Sequence, residues 1–255
     1  MARLFDDAQN ESLYLTSAVL SAHPLTIAFW GYFDAVSRVH NAVCIADSSD
    51  LSYFAVGIQN TDAVYAALDG PVGGQQIAYS TADISINTWH HICGVFTDSN
   101  NRAAFIDGGN KGTDTGESGE PTGLDNTTIG VFNAGILYGH VSGRIAEVAF
   151  WNIALSDSEV AQVALGVCPL MVRPDALVAY YPLGGIYGVN SGNAADGDID
   201  IVGGYHMDPQ NTPSVADHPT QLWYPNSGIV VPGLVGAAGV TVPLMAYHYR
   251  RQRAG

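Results

Sequence analysis

A run of alternating carboxylates is the feature of this sequence that comes closest to a metal-binding motif. Asp196, Asp198 and Asp200 stand at every second position, as the first ligands of a helix-loop-helix calcium loop do. That loop also needs a glycine at its sixth position and a glutamate at its twelfth, where this chain has Ile201 and Met207. The run therefore predicts a turn that enters a strand at 198–203, and not a calcium loop of this type.

Short motifs of the common catalytic centres are missing from the sequence. It contains no GxSxG nucleophile elbow, no HExxH zinc motif, no Walker loop and no CxxC pair. His90 and His91 adjoin Trp89, but neighbouring residues on a strand face opposite sides of a sheet and form no cluster. We therefore expect no catalytic residues and no enzymatic activity.

Strands must position any site in this chain. The composition combines 29 Gly, 12 Pro and 13 Tyr with only 13% charged residues, which favours strands joined by tight turns over helices. Several apolar runs are apolar at nearly every position or alternate cleanly, which is typical of a two-layer sandwich. The predicted strands cover residues 12–15, 25–33, 42–46, 52–58, 63–68, 75–79, 89–97, 103–106, 127–131, 139–151 and 176–183.

One short helix is predicted near residues 156–165. Ser156 and Glu159 have the spacing of a capping box, in which each side chain bonds the backbone N–H of the other residue. Leu155 and Val160 suit a hydrophobic staple across the first turn, and Gly166 suits a left-handed cap after the last. This combination is specific for a helix and carries no information about function.

The charge balance excludes one class of partner. Nine basic and 24 acidic side chains give a net charge of −15, and three of the nine are Arg250, Arg251 and Arg253. The rest of the chain repels phosphate, so we expect no nucleic-acid binding. The amino terminus has no apolar signal core and the three cysteines form no disulfide framework. Both features predict synthesis in a reducing cytoplasm, with buried free thiols.

The last fifty residues differ from the rest in composition. Residues 228–247 hold no charged side chain and are flanked by aromatic residues and arginines, as a membrane anchor is. Two prolines and four glycines there disfavour a helix by about 3 and about 1 kcal/mol each. We therefore predict a sandwich domain at 1–205 and an extended Pro/Gly-rich arm at 206–255 that docks on a neighbouring protein. The expected docking residues are Trp223, Tyr224, Val230, Val231, Pro232, Leu234, Pro243, Leu244, Tyr247, Tyr249, Arg250, Arg251 and Arg253.

Four segments match one family pattern in their order and spacing. They are LTIAFWGYF at 25–33, the pair WHHICGVF at 89–96 and AFIDG at 104–108, GRIAEVAFWNIALS at 143–156, and ALVAYYPL at 176–183. In this order they resemble laminin-G-like domains with the concanavalin A-like lectin fold, over residues 4–205. The resemblance implies an all-β, two-layer antiparallel jelly-roll sandwich. Because Trp30, Trp89 and Trp151 lie in its apolar strands, we expect them to pack in the core.

The resemblance also implies two kinds of chemistry. Related domains often bind calcium through loops at the sandwich rim, and Asp47, Asp50, Asp114 and Asp125 are the candidate ligands for Ca2+ here. The paired calcium site of pentraxins is not carried over, because VFNAG at 131–135 replaces their acidic run. Glucanases of this fold have an E-x-D-x-x-E strand, whereas Glu147 is the single acid in the corresponding strand.

Stand-alone laminin-G-like proteins of this size are common among structural proteins of tailed bacteriophages. The resemblance therefore implies a non-catalytic virion component, made in the host cytoplasm, that decorates the capsid or belongs to the tail. Its expected partners are other virion proteins or copies of itself, and its rim loops could contact host glycans. Two alternatives stay open: an adhesin held in a membrane by its tail, and a secreted lectin that depends on calcium.

Overall fold

Strands make up nearly half of the described residues. The structure, a computed structural model, describes residues 2–183 and 198–219. An α-helix, α1, covers Asp157–Ala164. The strands are β1 (Ala2–Phe5), β2 (Ser12–Leu15), β3 (Leu25–Phe33), β4 (His40–Ala46), β5 (Tyr53–Ile58), β6 (Ala63–Asp69), β7 (Gln76–Asp83), β8 (Trp89–Asp98), β9 (Asn101–Ile106), β10 (Gly109–Asp114), β11 (Asn126–Ile129), β12 (Phe132–Asn133), β13 (Leu137–Tyr138), β14 (Gly143–Trp151), β15 (Leu177–Tyr181), β16 (Asp208–Gln210) and β17 (Ser214–Ala216).

The strands form two antiparallel sheets that pack face to face. Sheet I has the order β10-β9-β8-β3-β14-β1-β17, and β15 pairs with the second half of β14. Sheet II has the order β16-β2-β11-β4-β5-β6-β7. The short β12–β13 hairpin packs against the outer face of sheet II. The predicted all-β, two-layer jelly-roll sandwich is therefore confirmed.

The main core fills the space between the two sheets. Alternate residues of the central strands point inward, as the period of two along a strand requires. Leu25, Ile27 and Phe29 of β3 meet Phe54 of β5 in one fully buried cluster. The Phe54 and Phe96 rings meet edge to face, with their centroids 5.3 Å apart. Burying each side chain of this size contributes about 1.5–3 kcal/mol.

Part of the outer face of sheet I is covered by α1 and the turns after it. The predicted capping box of Ser156 and Glu159 is confirmed, and Val160 and Val163 point into this second apolar layer. Trp151 is fully buried there, and its indole N–H donates to the Val172 carbonyl at 2.8 Å.

Two of the three tryptophans lie outside the core, contrary to the prediction. Trp30 and Trp89 are only half-buried on the outer face of sheet I, where Trp30 packs on His91 and Trp89 on Tyr32. The strand alternation sends them outward because Phe29 and Phe33 occupy the inward positions of β3. Cys44 and Cys93 are buried free thiols, as predicted, and Cys168 is buried as well.

The sandwich extends beyond the predicted boundary at residue 205. β16 pairs with β2 at the edge of sheet II, and β17 pairs with β1 at the edge of sheet I. The buried Arg3 holds this segment, because its Nε donates to Asp198 Oδ2 at 2.6 Å and its Nη1 to the Pro213 carbonyl at 2.9 Å. Residues 208–216 thus belong to the sandwich and not to an arm.

Two of the alternating carboxylates, Asp198 and Asp200, organise a turn, as predicted. The Asp200 carboxylate accepts hydrogen bonds from the backbone N–H groups of Tyr180, Val202, Gly203 and Tyr205. The predicted strand at 198–203 does not form, and Asp198 makes an isolated bridge to Met207 instead. The side chains that resemble metal ligands are used for structure.

Candidate functional site

A groove lies on the outer face of sheet II, between β5, β6, β7 and the β12–β13 hairpin. It encloses a volume of about 380 Å³. The strand register places Ala55 directly opposite Ala67 on its floor. Tyr53 lies two residues before Ala55 on β5, and Tyr65 lies two residues before Ala67 on β6, so all four side chains share one face. The two small alanines leave a depression between the two tyrosines. The other lining residues are Val39, Asn41, Leu51, Gln59, Asp69, Gln75, Ile77, Phe132, Ile136 and Tyr138.

Tyr65 can lie across β5 because the residue opposite it is a glycine. The register pairs Gly57 with Tyr65. A Cβ atom at Gly57 would lie 2.1 Å from the His40 carbonyl oxygen and 2.8 Å from Tyr65 Oη, so a larger residue does not fit. The Tyr65 hydroxyl reaches β4 and donates a hydrogen bond to Asn41 Oδ1.

Asn41 also attaches the hairpin that forms the wall of the groove. Its Nδ2 donates to the Tyr138 carbonyl at 3.0 Å, and its backbone N–H donates to the Gly139 carbonyl at 2.9 Å. A second contact lies nearer the start of the hairpin, where the Phe132 ring meets the Tyr53 ring edge to face with centroids 4.7 Å apart. The wall is therefore fixed to the sheet by the two hydrogen bonds of Asn41 and by an aromatic contact.

Polar groups gather at one end of the groove. Tyr53 is paired with Asp69 across β5 and β6, and Gln75 Nε2 donates to Tyr53 Oη. Asp69 is half-buried, and no described group donates a hydrogen bond to its carboxylate. This carboxylate is therefore an acceptor open to a ligand.

The electrostatics of the groove come from Asp69. Burial raises the pKa of its carboxyl above the ordinary value, and the nearby charge of Asp50 raises the pKa further. Burial also raises the pKa of Tyr53 and of Tyr65, so both phenols stay protonated at neutral pH. In the described parts of the chain, no lysine, arginine or histidine lines the groove.

The rim of the groove exposes large apolar side chains. Ile136, Leu137 and Tyr138 at the hairpin are 59%, 66% and 52% exposed, and Leu51 across from them is 55% exposed. Clustered exposure of this kind marks a surface that contacts another molecule. The groove thus combines an apolar rim with a polar end.

Reasoning from the sequence identified none of these groove residues. The only sequence signal was local, in the segments YFAVGI of β5 and AVYAALD of β6, where every second residue is tyrosine, alanine, glycine or aspartate. Those residues form the outward face. The partners that complete the site come from β4 and from the hairpin, which are distant in sequence.

The four acidic residues predicted to bind calcium do not form one site. Asp47 and Asp125 accept hydrogen bonds from serines of the loop after β4, and Asp50 accepts one from the next backbone N–H. Asp114 pairs with the buried guanidinium of Arg102. Across 2–183 and 198–219, no three acidic, histidine or cysteine side chains are grouped to hold a metal ion. These residues do not fit the calcium site that the resemblance implied.

Glu147 occupies a buried position on sheet I, away from the groove. It sits at a β-bulge of β14 with a φ of 56° and is 2% exposed. Its Oε2 accepts a hydrogen bond from the Tyr180 hydroxyl, and its Oε1 lies 2.7 Å from His218 Nε2. The sequence could not show this cluster, because the partners are 33 and 71 residues away.

The predicted docking residues, which run from Trp223 to Arg253, lie outside the described residues. Docking through this arm therefore stays a prediction. No helix in the described part of the chain is long and apolar enough to cross a lipid bilayer.

Solved structures with this fold include two bacterial proteins that bind or are thought to bind carbohydrate. An inferred carbohydrate-binding protein from Bacteroides ovatus is 19% identical with a TM-score of 0.59, and the match covers 82% of this chain and 57% of that one. The CBM40 module of the Ruminococcus gnavus IT-sialidase, bound to alpha2,3 sialyllactose, is 17% identical with a TM-score of 0.50; the match covers 56% of this chain and 84% of that one. At these identities the similarity shows the fold alone.

Sequence comparison gives the family. No curated protein sequence matches this chain. A model of the concanavalin A-like lectin/glucanases superfamily matches residues 7–161, which is more than half of the 255 residues. This match contains the strands β2–β14, and therefore every residue that lines the groove. The chain belongs to the concanavalin A-like lectin/glucanases superfamily.

Proposed function

We propose that this protein is a non-catalytic carbohydrate-binding module that holds a glycan in the groove of sheet II. A sugar ring has apolar C–H faces and a rim of hydroxyl groups, so it needs aromatic surface and polar acceptors side by side. Ligand sites of this type are concave, mostly apolar, and oriented by a few polar groups. The lectins of the superfamily and the two solved carbohydrate-binding proteins of this fold support the proposal.

The observation that supports the proposal most directly is that Tyr53, Asp69 and Gln75 lie together at one end of an aromatic groove. The hydrogen bond from Gln75 to Tyr53 fixes the orientation of both side chains. The Asp69 carboxylate receives no hydrogen bond from the described residues. Phe132 and Tyr138 supply the aromatic wall beside them. The volume of about 380 Å³ lies within the usual range for small-ligand sites, about 300–1,000 Å³.

The acid content of the groove supports binding without cleavage. Most glycosidases cut a glycosidic bond with two carboxyl groups, about 5–5.5 Å or about 6.5–9.5 Å apart. Asp69 is the one acidic side chain among the described lining residues. A glycan held here would meet one carboxylate, which can accept hydrogen bonds but cannot serve as both acid and nucleophile.

A glycan array followed by isothermal titration calorimetry tests the proposal. Tyr138→Ala and Gln75→Ala both change exposed groove residues, and we expect each to weaken binding about tenfold, the effect of about 1.4 kcal/mol. Tyr79→Ala is the matched control, because Tyr79 is an exposed tyrosine of sheet II outside the groove. Absence of glycan binding, or binding that resists both groove variants, would refute the proposed function.

We further propose that this module acts as a virion component, with the groove displayed and the C-terminal arm docked on other virion proteins. The composition supports this role, since an acidic body ends in an apolar, Arg-tipped segment. Deleting residues 220–255 tests it, because the remaining chain keeps every strand described here. The shortened protein should bind glycan normally and be absent from particles; incorporation at the normal copy number would contradict the docking role.

A further inference from the structure

We infer that the groove selects neutral glycans and rejects acidic ones, such as sialosides and uronates. The inference rests on the proposed function, because it names the class of sugar that the same groove takes. It follows from the one charge in the groove and from the positions of the cations of the described chain.

The Asp69 carboxylate lies at the polar end of the groove, within reach of the hydroxyl groups of a sugar bound there. It lies across from Tyr53 on the groove floor and is half-buried. With no donor from the described residues, it can accept hydrogen bonds from sugar hydroxyls, and bonds to a charged acceptor are the strong ones. A neutral glycan supplies such hydroxyls at every ring.

An acidic glycan meets no positive charge among the described residues that line the groove. Each cation of the described chain is engaged elsewhere, five in ion pairs and one over an aromatic ring. The ion pairs are Arg3–Asp198, Arg38–Asp7, Arg102–Asp114, Lys111–Asp157 and Arg173–Asp175, and Arg144 lies over the Tyr32 ring on sheet I. A sugar carboxylate would enter without a counter-ion and would face Asp69.

The size of the expected discrimination follows from Coulomb's law. Two like charges about 8 Å apart, at an effective dielectric constant of about 40, repel enough to weaken binding about sixfold. Asp50 adds to the negative potential at Asp69 and therefore acts in the same direction. We expect a neutral glycan to bind about five to ten times more tightly than its acidic counterpart.

Pairs of glycans that differ only in charge provide the test. Galacturonan oligosaccharides and their carboxyl-reduced forms share one backbone, and sialylated N-glycans and their carboxyl-amidated forms make a second pair. Calorimetry with the full chain at neutral pH should show the preference for the neutral member. Asp69→Asn should reduce the preference to about twofold or less, and Asp69→Ser should do the same if the first variant folds poorly.

Asp83→Asn is the matched control, since it removes one exposed negative charge at the opposite end of sheet II. It should leave the preference unchanged. Equal or tighter binding of the acidic member, or a preference that Asp69→Asn does not alter, would overturn the inference while the proposed function stands. Absence of binding to any glycan would overturn both.

Discussion

Removing the Asn41 side chain should weaken the attachment of the β12–β13 hairpin to sheet II. Asn41 is 4% exposed and joins two partners: it accepts from the Tyr65 hydroxyl and donates to the Tyr138 carbonyl at 3.0 Å. Asn41→Ala removes both hydrogen bonds at once. The hairpin that forms the wall of the groove then loses its hydrogen bond from the Asn41 side chain. The free energy of unfolding and the affinity for glycan should therefore both fall.

The expected loss of stability follows from the burial of each partner. Tyr65 is 5% exposed, so its hydroxyl would be left without an acceptor, at a cost of about 1–3 kcal/mol. The Tyr138 carbonyl belongs to an exposed residue and can bind water instead, which limits its share to about 0.5–1.5 kcal/mol. Asn41→Ala should therefore lower the free energy of unfolding by about 2–4 kcal/mol.

A double-mutant cycle isolates the Asn41–Tyr65 contact. Once Asn41 is alanine, Tyr65→Phe removes a hydroxyl that has already lost its acceptor, so the coupling energy should be about 1–2 kcal/mol. Urea unfolding of the wild type, both single variants and the double variant measures it. Tyr53→Phe is the control, because its hydroxyl bonds the exposed Gln75, and it should cost less than about 1 kcal/mol. Additivity within about 0.3 kcal/mol, or an equal loss in the control, would refute the reasoning.

Four further outcomes are expected. Gly57→Ala should destabilise the fold by about 1–3 kcal/mol in urea unfolding, because its Cβ would overlap the His40 carbonyl, whereas Gly109→Ala, which faces open space, should cost little. Ser156→Ala should cost about 1 kcal/mol in thermal unfolding, because α1 loses its capping box. Calcium and a chelator should leave the thermal midpoint unchanged, because the candidate carboxylates are not grouped around one position. Glycan affinity, followed by calorimetry, should fall as the pH drops through the raised pKa of Asp69, because a protonated carboxyl is a weaker acceptor. The effect on stability has the opposite sign. Because the pKa of Asp69 is raised, the folded state binds this proton more tightly than the unfolded state, and the ionised carboxyl lowers the free energy of unfolding above that pKa. Asp69→Asn should therefore raise the free energy of unfolding at neutral pH.

The sandwich could be predicted because its central strands carry their own pattern. β3, β8 and β14 are long and apolar, and the capping box of Ser156 and Glu159 predicts where α1 begins. The missed strands lack such a pattern. β10 has the sequence GNKGTD and lies at a sheet edge, while β12, β13, β16 and β17 have two or three residues each and depend on partners elsewhere in the chain.

The groove could not be predicted, because its contacts join distant parts of the sequence. Asn41 meets Tyr65 across 24 residues and Tyr138 across 97. The resemblance directed attention to the acidic loops at the rim, whereas the groove lies on the face of a sheet. Sequence alternation shows that Tyr53 and Asp69 point outward, but only the packed hairpin reveals that they line a cavity.

The two outer faces of the sandwich differ in a way that supports the proposed binding site. On sheet I, α1 and its turns cover the face with apolar side chains, which stabilises the fold. On sheet II, Gly57 lies opposite the buried Asn41, whereas Asp69, a carboxylate without a donor among the described residues, lies at the other end of the groove. The half-buried Asp69 carboxylate disfavours the folded state, because burial removes water from its charged form and no described donor replaces that water. Local departures from the rules of stability are expected where a surface serves binding. This departure at Asp69, at the polar end of the groove, therefore supports the proposal that sheet II, and not the acidic loops, carries the binding site.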